Sequence, residues 1–147
     1  IRIRNPIASS PMDTVTENRM AIALDNVGDA LVKTGRVAEG LTTYRKALEI
    51  RETLSKADPN NAESPRDRAA SYVRLGDASR PLAAKPAAAT LDGWEQARAW
   101  YQRALAVWSE LERAGSLRSA EVSELSRIKS KIEECDAATR VAGRAPP

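Results

Sequence analysis

Residues 24–31 read LDNVGDAL and residues 72–79 read YVRLGDAS, so Gly-Asp-Ala recurs at an offset of 48 residues. A second pair of segments repeats downstream, where residues 43–50 read TYRKALEI and residues 100–107 read WYQRALAV, at an offset of 57 residues. The second offset is nine residues longer than the first, so the second copy carries an insertion of that length. The chain therefore contains two copies of one supersecondary unit.

Apolar residues within and beyond these copies recur every three or four positions, as on the buried side of a helix. In the first predicted helix Ile22, Leu24, Val27, Leu31 and Val32 supply that side. Start and stop signals complete the pattern: capping boxes at Thr14 and Asp92, proline at position 65, and glycine stops at positions 35 and 115. The predicted helices cover about 14–34, 36–56, 65–80, 93–113 and 119–139.

Segments that contain proline or few apolar residues lie before and between these helices, and we predict them to be irregular. Residues 1–13 are predicted to form an irregular leader, although the Ile/Arg alternation at Ile1–Arg4 also suits a short strand. Residues 80–92 hold two prolines and are predicted to form an insertion loop, more mobile than the helices; the alternative is a short helical turn at 86–90. The helical domain then spans 14–139, with units at about 14–58 and 64–114 and a frayed tail at 140–147.

The repeated small residues indicate close helix packing. A glycine on the first helix of each unit removes the side chain where the paired helix passes, and an alanine on the second helix does the same from the other side. A tyrosine is predicted to fill the space left between hairpins. These packing residues are Gly28, Tyr44 and Ala47 in the first unit and Gly76, Tyr101 and Ala104 in the second.

This pattern resembles the tetratricopeptide repeat over roughly residues 18–113, in a subtype with long helices. The resemblance implies an all-α, α–α superhelical fold with two helical hairpins and a C-terminal closing helix, five helices in all. It also implies that first helices line a concave groove that binds a protein or peptide. The chain departs from the family at Ser79, where a large apolar residue is usual, and lacks the usual proline at each unit's end.

A narrower resemblance connects the second unit with the C-terminal tetratricopeptide tails of some bacterial serine/threonine protein kinases. It lies in WEQARAWYQRALAVW at 94–108, GSL at 115–117 and IEECDAA at 132–138. The resemblance implies a non-catalytic scaffold within a larger signalling protein, and the missing initiator Met also led us to expect a part of a longer chain. A kinase catalytic loop is not encoded, because the chain has no His and no Phe.

Composition argues against several function classes. Without His, and with Cys135 as the one cysteine, imidazole catalysis, a cysteine-based zinc site and an internal disulfide are excluded, and we predict neither an enzyme nor a cofactor. The 23 basic and 20 acidic residues are interleaved, unlike the one-sided basic surface of a nucleic-acid binder. No apolar run suits a signal peptide or a membrane span, so the predicted location is the cytoplasm without membrane attachment.

Polar residues of the first helices are the candidate groove contacts, although ordinary solvated surface is the alternative. Aspartates predominate among them, which favours an internal partner segment carrying Lys or Arg over an acidic chain terminus. A different function is also open, in which exposed helix faces mediate self-association into a homodimer. The candidate groove residues are Asp25, Asn26, Asp29, Lys33, Arg74 and Asp77.

Three tryptophans and the cysteine have two interpretations each. Trp94, Trp100 and Trp108 have the helical spacing of core residues, although they could also stack on a ligand. Cys135 lies in phase with the apolar residues of the last helix, which favours a small buried hydrophobe over a redox or dimer-linking thiol.

Overall fold

Five helices make up the part of the chain that the computed structural model describes, residues 11–81 and 87–144. They are α1 (Pro11–Lys33), α2 (Val37–Ala57), α3 (Ser64–Ser79), α4 (Ala87–Arg113) and α5 (Ser119–Arg144). No strand occurs within the described ranges, which confirms the predicted all-α class with five helices. Among the described helices, none is long and apolar enough to cross a membrane.

The helices pack in sequence order as two antiparallel hairpins followed by α5. In the first hairpin Gly28 lies against Tyr44 and Val32 against Gly40, so residue numbers rise on one helix as they fall on the other. The α2 helix also packs on α3, and α4 packs on α5. Each helix is therefore held mainly by the helices next to it in sequence, as in a helical repeat.

Two glycines end helices in the left-handed conformation that other residues rarely adopt. Gly35 has φ 86° and Gly115 has φ 69°. After α1, the Arg36 N–H donates to the Leu31 carbonyl at 2.8 Å, and after α4 the Ser116 N–H donates to the Leu111 carbonyl at 2.9 Å. These six-residue closures are Schellman motifs, so both predicted glycine stops are confirmed.

Three helix ends differ from the prediction. The α1 helix begins at Pro11 instead of Thr14, because proline at a helix start loses no intrahelical hydrogen bond. The α4 helix begins at Ala87 instead of Gly93, and α5 continues to Arg144 instead of Thr139. In both, alanine-rich sequence supplies the helix propensity that extends the helix.

Part of the predicted insertion loop is therefore helical. Asp92 is an interior residue of α4 that accepts a hydrogen bond from Gln96 Nε2 at 2.8 Å, not the predicted N-cap. Gly93 is needed for space, since a Cβ there would lie 2.9 Å from Pro81 Cγ. Residues 1–10, 82–86 and 145–147, including the suggested strand, lie outside the described residues.

The hydrophobic core is concentrated in the second hairpin and α5. Tyr101 and Ala104 of α4 and Cys135 of α5 are fully buried. Among the described residues of α1, Ala21 is the only apolar residue with a buried side chain. The larger apolar residues of α1 are half-exposed or only partly buried. The remaining core residues are Tyr44, Ala47, Leu48, Ala69, Tyr72, Leu75, Ala78, Ala97, Trp108, Leu125 and Ile128.

The same tyrosine–glycine contact forms inside each hairpin, between its two helices, whereas the prediction placed each tyrosine between hairpins. A Cβ on Gly28 would lie 2.5 Å from Tyr44 Cε1, and a Cβ on Gly76 would lie 2.5 Å from Tyr101 Cε1. The two glycines are 48 residues apart and the two tyrosines 57, the offsets found in the sequence. The internal repeat is therefore a repeat of one packing geometry.

We expect Gly28→Ala and Gly76→Ala each to lower the free energy of unfolding by about 1–3 kcal/mol, because the new methyl group overlaps a buried ring. Gly143→Ala is the matched control, since a Cβ there meets nothing within 4 Å. It should be neutral or slightly stabilising, because alanine favours a helix. Urea denaturation measures all three, and equal stability of the two repeat variants and wild type would contradict the packing assignment.

Candidate functional site

A depression of about 520 Å³ lies across the first helices of the hairpins and α5. Residues of α1, α3 and α5 form its walls, and Trp108 of α4 closes its floor. We call this depression the groove. Its lining residues are Asp29, Arg66, Ala70, Val73, Arg74, Trp108 and Glu124.

Asp29 connects the first hairpin to the second at the groove wall. The Tyr44 hydroxyl donates to Asp29 Oδ1 at 2.5 Å. Arg74 Nε of α3 lies 3.5 Å from the same oxygen. The carboxylate is still half-exposed, so it can contact a ligand that enters the groove.

Asp77 occupies the equivalent position in the second unit. It accepts a hydrogen bond from the Tyr101 hydroxyl at 2.5 Å and a second from Lys131 Nζ of α5 at 2.6 Å. Lys131 Nζ also lies 5.4 Å from the centre of the Tyr101 ring, a cation–π distance. Each aspartate therefore joins the tyrosine of its own hairpin to a cation on a later helix, α3 for Asp29 and α5 for Asp77.

The two tyrosine hydroxyls are held in their neutral form. Burial, followed by the hydrogen bond to the neighbouring carboxylate, raises the pKa of Tyr44 and of Tyr101 above the ordinary tyrosine value. Both effects disfavour a phenolate, since it would lose solvation and repel the aspartate. The hydroxyl therefore remains a donor that orients the carboxylate.

Asp25 is not a groove surface residue, because it is only 3% exposed. Arg51 Nη2 of α2 lies 2.6 Å from Asp25 Oδ2, and Arg51 Nη1 donates to Ser71 Oγ of α3 at 2.7 Å. Arg74 Nη1 approaches the same carboxylate at 3.7 Å. Asp25 thus ties α1, α2 and α3 together inside the protein.

The other predicted groove residues do not all line the groove. Asn26 and Lys33 are exposed, and their spacing from Asp29 places them on the same side of α1. The groove also contains residues that sequence reasoning missed, above all Ala70, Val73 and Trp108. Ala70 and Val73 lie seven and four residues before Asp77, so extending the Asp77 row back along α3 would have found them.

A second depression, of about 300 Å³, lies where the start of α1, the end of α2 and the start of α3 meet. Its cation, Arg51, already pairs with Asp25. Burial raises the pKa of Asp67, and the nearby Arg51 lowers it in part. Glu63 of this lining pairs with Arg118, which leaves Asp58 and Asp67 as the carboxylates beside Arg51. The other lining residues are Thr14, Val15, Asn18, Leu54, Asn61 and Ser64.

The tryptophans and the cysteine are mainly core residues. Trp108 is 7% exposed and Cys135 is fully buried, as predicted. Trp94 and Trp100 are partly buried and pack against the core. Arg80 lies over the Trp94 ring and Arg103 over the Trp100 ring, so a ligand would have to compete with these cations.

The described side chains do not include a group of three or more His, Cys, Asp or Glu that could hold a metal ion. No protein-family model matches the chain, and neither a curated protein nor a solved structure matches it.

We expect Asp25→Ala to lower the free energy of unfolding by about 3–5 kcal/mol, because it leaves the Arg51 charge buried without its partner. The double variant Asp25→Leu with Arg51→Met should recover most of that loss, since both charges are then removed. Asp29→Ala, at a half-exposed carboxylate, is the control and should cost much less. Chemical denaturation distinguishes these cases, and equal losses for Asp25→Ala and Asp29→Ala would show that burial of the pair is unimportant.

Stability should fall at alkaline pH because of Tyr44 and Tyr101, the two tyrosines that donate to aspartates. Their pKa is raised on folding, so their contribution is complete below the unfolded tyrosine value of about 10 and is lost as pH rises above it. Tyr44→Phe combined with Tyr101→Phe should flatten this alkaline loss, because neither hydroxyl is then left to ionise. The urea midpoint measured from neutral to alkaline pH tests this, and an unchanged alkaline slope in the double variant would refute it.

Proposed function

We propose that this chain is a non-catalytic protein-interaction module that binds a segment of another protein in the groove. The observation that supports this most directly is the depression that three alternate helices share, with an apolar floor and polar walls. Binding sites of this kind are concave and mainly apolar, with a few convergent polar groups. The tetratricopeptide resemblance of the repeat supports the same function.

An apolar side chain of the partner would serve as the anchor. Ala70, Val73 and Trp108 are the apolar residues that line the groove, and Trp108 and Val73 are largely covered by their own neighbours. Ala70 is exposed and too small to fill the space. An inserted leucine or aromatic side chain would cover this surface, as anchors do at other protein interfaces.

Basic residues of the partner would add specificity. They would not pair with the groove aspartates, as the sequence predicted, because those aspartates already have partners. Asp29 pairs with Arg74 in the groove wall, and Asp77, which does not line the groove, pairs with Lys131, so the groove wall is not a negative surface. The uncompensated carboxylates lie in the second depression, at Asp58 and Asp67. We therefore propose an internal segment with an apolar anchor and a Lys or Arg directed to that end, and not an acidic chain terminus.

We also propose that the module is a scaffold within a larger bacterial signalling protein, such as a serine/threonine kinase, and acts in the cytoplasm. The kinase-tail resemblance supports the first point, and the buried, unpaired Cys135 is compatible with a reducing compartment. The gene sequence upstream of Ile1 tests the first point, since an adjoining kinase domain is expected.

Selection of peptides from a displayed library of internal segments should enrich sequences with a large apolar residue and nearby Lys or Arg. Ala70→Glu should weaken binding of the selected peptides at least tenfold, because it places a charge over the anchor position. Ala106→Glu is the matched control, since Ala106 is an exposed residue on the side of α4 opposite its buried residues. Equal affinity of wild type and Ala70→Glu, or enrichment of free acidic chain ends, would contradict the proposal.

A further inference from the structure

The two arginines that line the groove differ in how their N–H groups are used. Arg66 donates through all three of its nitrogens. Its Nε donates to Glu121 Oε1 at 2.6 Å. Its Nη1 and Nη2 donate to the carbonyls of Ala62 at 2.6 Å and Ser116 at 2.7 Å. With a side chain only 10% exposed, Arg66 connects α3 to the start of α5 and has little left to offer a ligand.

Arg74, in contrast, is attracted to its described neighbours without donating a hydrogen bond of normal length to them. Its Nε lies 3.5 Å from Asp29 Oδ1, and its Nη1 lies 3.7 Å from Asp25 Oδ2. Both distances exceed the range of about 2.7–3.2 Å for an N–H···O hydrogen bond. Neither of these closest approaches involves Nη2, and the side chain is 38% exposed. Arg74 therefore presents N–H groups to the groove.

The charge of Arg74 is nevertheless already balanced. Asp25 is paired with the buried Arg51 at 2.6 Å, so Asp29 is the carboxylate that neutralises Arg74. An anion bound to Arg74 would lie beside the half-exposed Asp29 carboxylate and be repelled by it, and a cation would face the guanidinium itself. A neutral hydrogen-bond acceptor avoids both conflicts.

A segment that fills the groove would remove water from Arg74. Arg74 directly follows Val73 and comes one helical turn after Ala70, so it borders the apolar residues that the anchor would cover. Covering them excludes water from the N–H groups beside them. Because a buried donor without an acceptor is costly, the bound segment has to supply an acceptor at Arg74.

We infer that Arg74 donates to a main-chain carbonyl of the bound segment, an inference that rests on the proposed function of the groove. A main-chain carbonyl is neutral, and every internal residue of a partner carries one. Ala70 and Arg74 are four residues apart on α3, which is about 6 Å along the helix axis. About two residues of extended chain span that distance. The carbonyl therefore belongs to a residue within about two positions of the anchor, and Arg74 fixes the register of the segment.

A thioamide scan of a selected peptide tests this contact in the wild-type protein. Each variant replaces one carbonyl oxygen by sulfur, a weaker acceptor, and leaves the side chains unchanged. One replacement within about two residues of the anchor should weaken binding about five- to tenfold, the loss of about one hydrogen bond. A scan without a sensitive position in that range would overturn the inference. So would peptides in which an Asn or Gln side chain, and no main-chain carbonyl, proves necessary.

Arg74→Met tests whether the sensitive carbonyl is the one bound by Arg74. The variant should bind the unmodified peptide about tenfold more weakly. It should also lose most of the thioamide effect, because the carbonyl then has no donor to lose. Arg45→Met is the matched control, since Arg45 is exposed on α2 and is not a groove residue, and it should behave as wild type. An equal thioamide effect in wild type and Arg74→Met would contradict the assignment.

Two checks keep the outcomes distinct. Circular dichroism and urea denaturation establish that Arg74→Met is folded, and the wild-type scan decides the question if it is not. If Ala70→Glu does not weaken peptide binding, the proposed function of the groove fails and this inference fails with it. If Ala70→Glu weakens binding and Arg74→Met does not, the inference about Arg74 alone is wrong.

Discussion

A tyrosine ring lies directly on the backbone of a glycine in each hairpin, and most of the arrangement depends on this contact. Gly28 and Gly76 let α2 and α4 approach so closely that Tyr44 and Tyr101 are almost fully buried. The buried ring then directs its hydroxyl to the aspartate that follows the glycine, Asp29 or Asp77. The contact that sets helix spacing therefore also positions Asp29 in the groove wall and Asp77 at the equivalent place in the second unit.

The charges connect hairpins that packing has already formed. Arg74 and Lys131 reach back to the aspartate of the preceding unit, and both pairs are partly exposed. Exposed ion pairs contribute little stability, so their main effect is to fix how α1, α3 and α5 face one another. The buried pair of Asp25 and Arg51 matters more for stability, because removal of one partner leaves the other charge isolated in the interior.

Sequence could predict the hairpins because the decisive contacts repeat at fixed spacing. It could not predict the burial of Asp25, since Arg51 and Ser71 approach it only after three helices pack. The apolar side of α1 was predicted from periodicity, but Val27 is half-exposed because α1 is the first described helix and has neighbours on fewer sides. Periodicity identifies an amphipathic surface, whereas tertiary packing decides which part of it is covered. The groove floor was missed for the same reason, since Trp108 comes from a second helix.

A double-mutant cycle between Gly76 and Tyr101 tests the central contact most directly. Gly76→Ala should be clearly destabilising in the wild-type background, where the new methyl group would lie 2.5 Å from the ring. In a Tyr101→Leu background the same substitution should be neutral or stabilising, because the ring is gone and alanine favours a helix. An equal cost of Gly76→Ala in both backgrounds would contradict the claim that the tyrosine–glycine contact sets the approach of the helices.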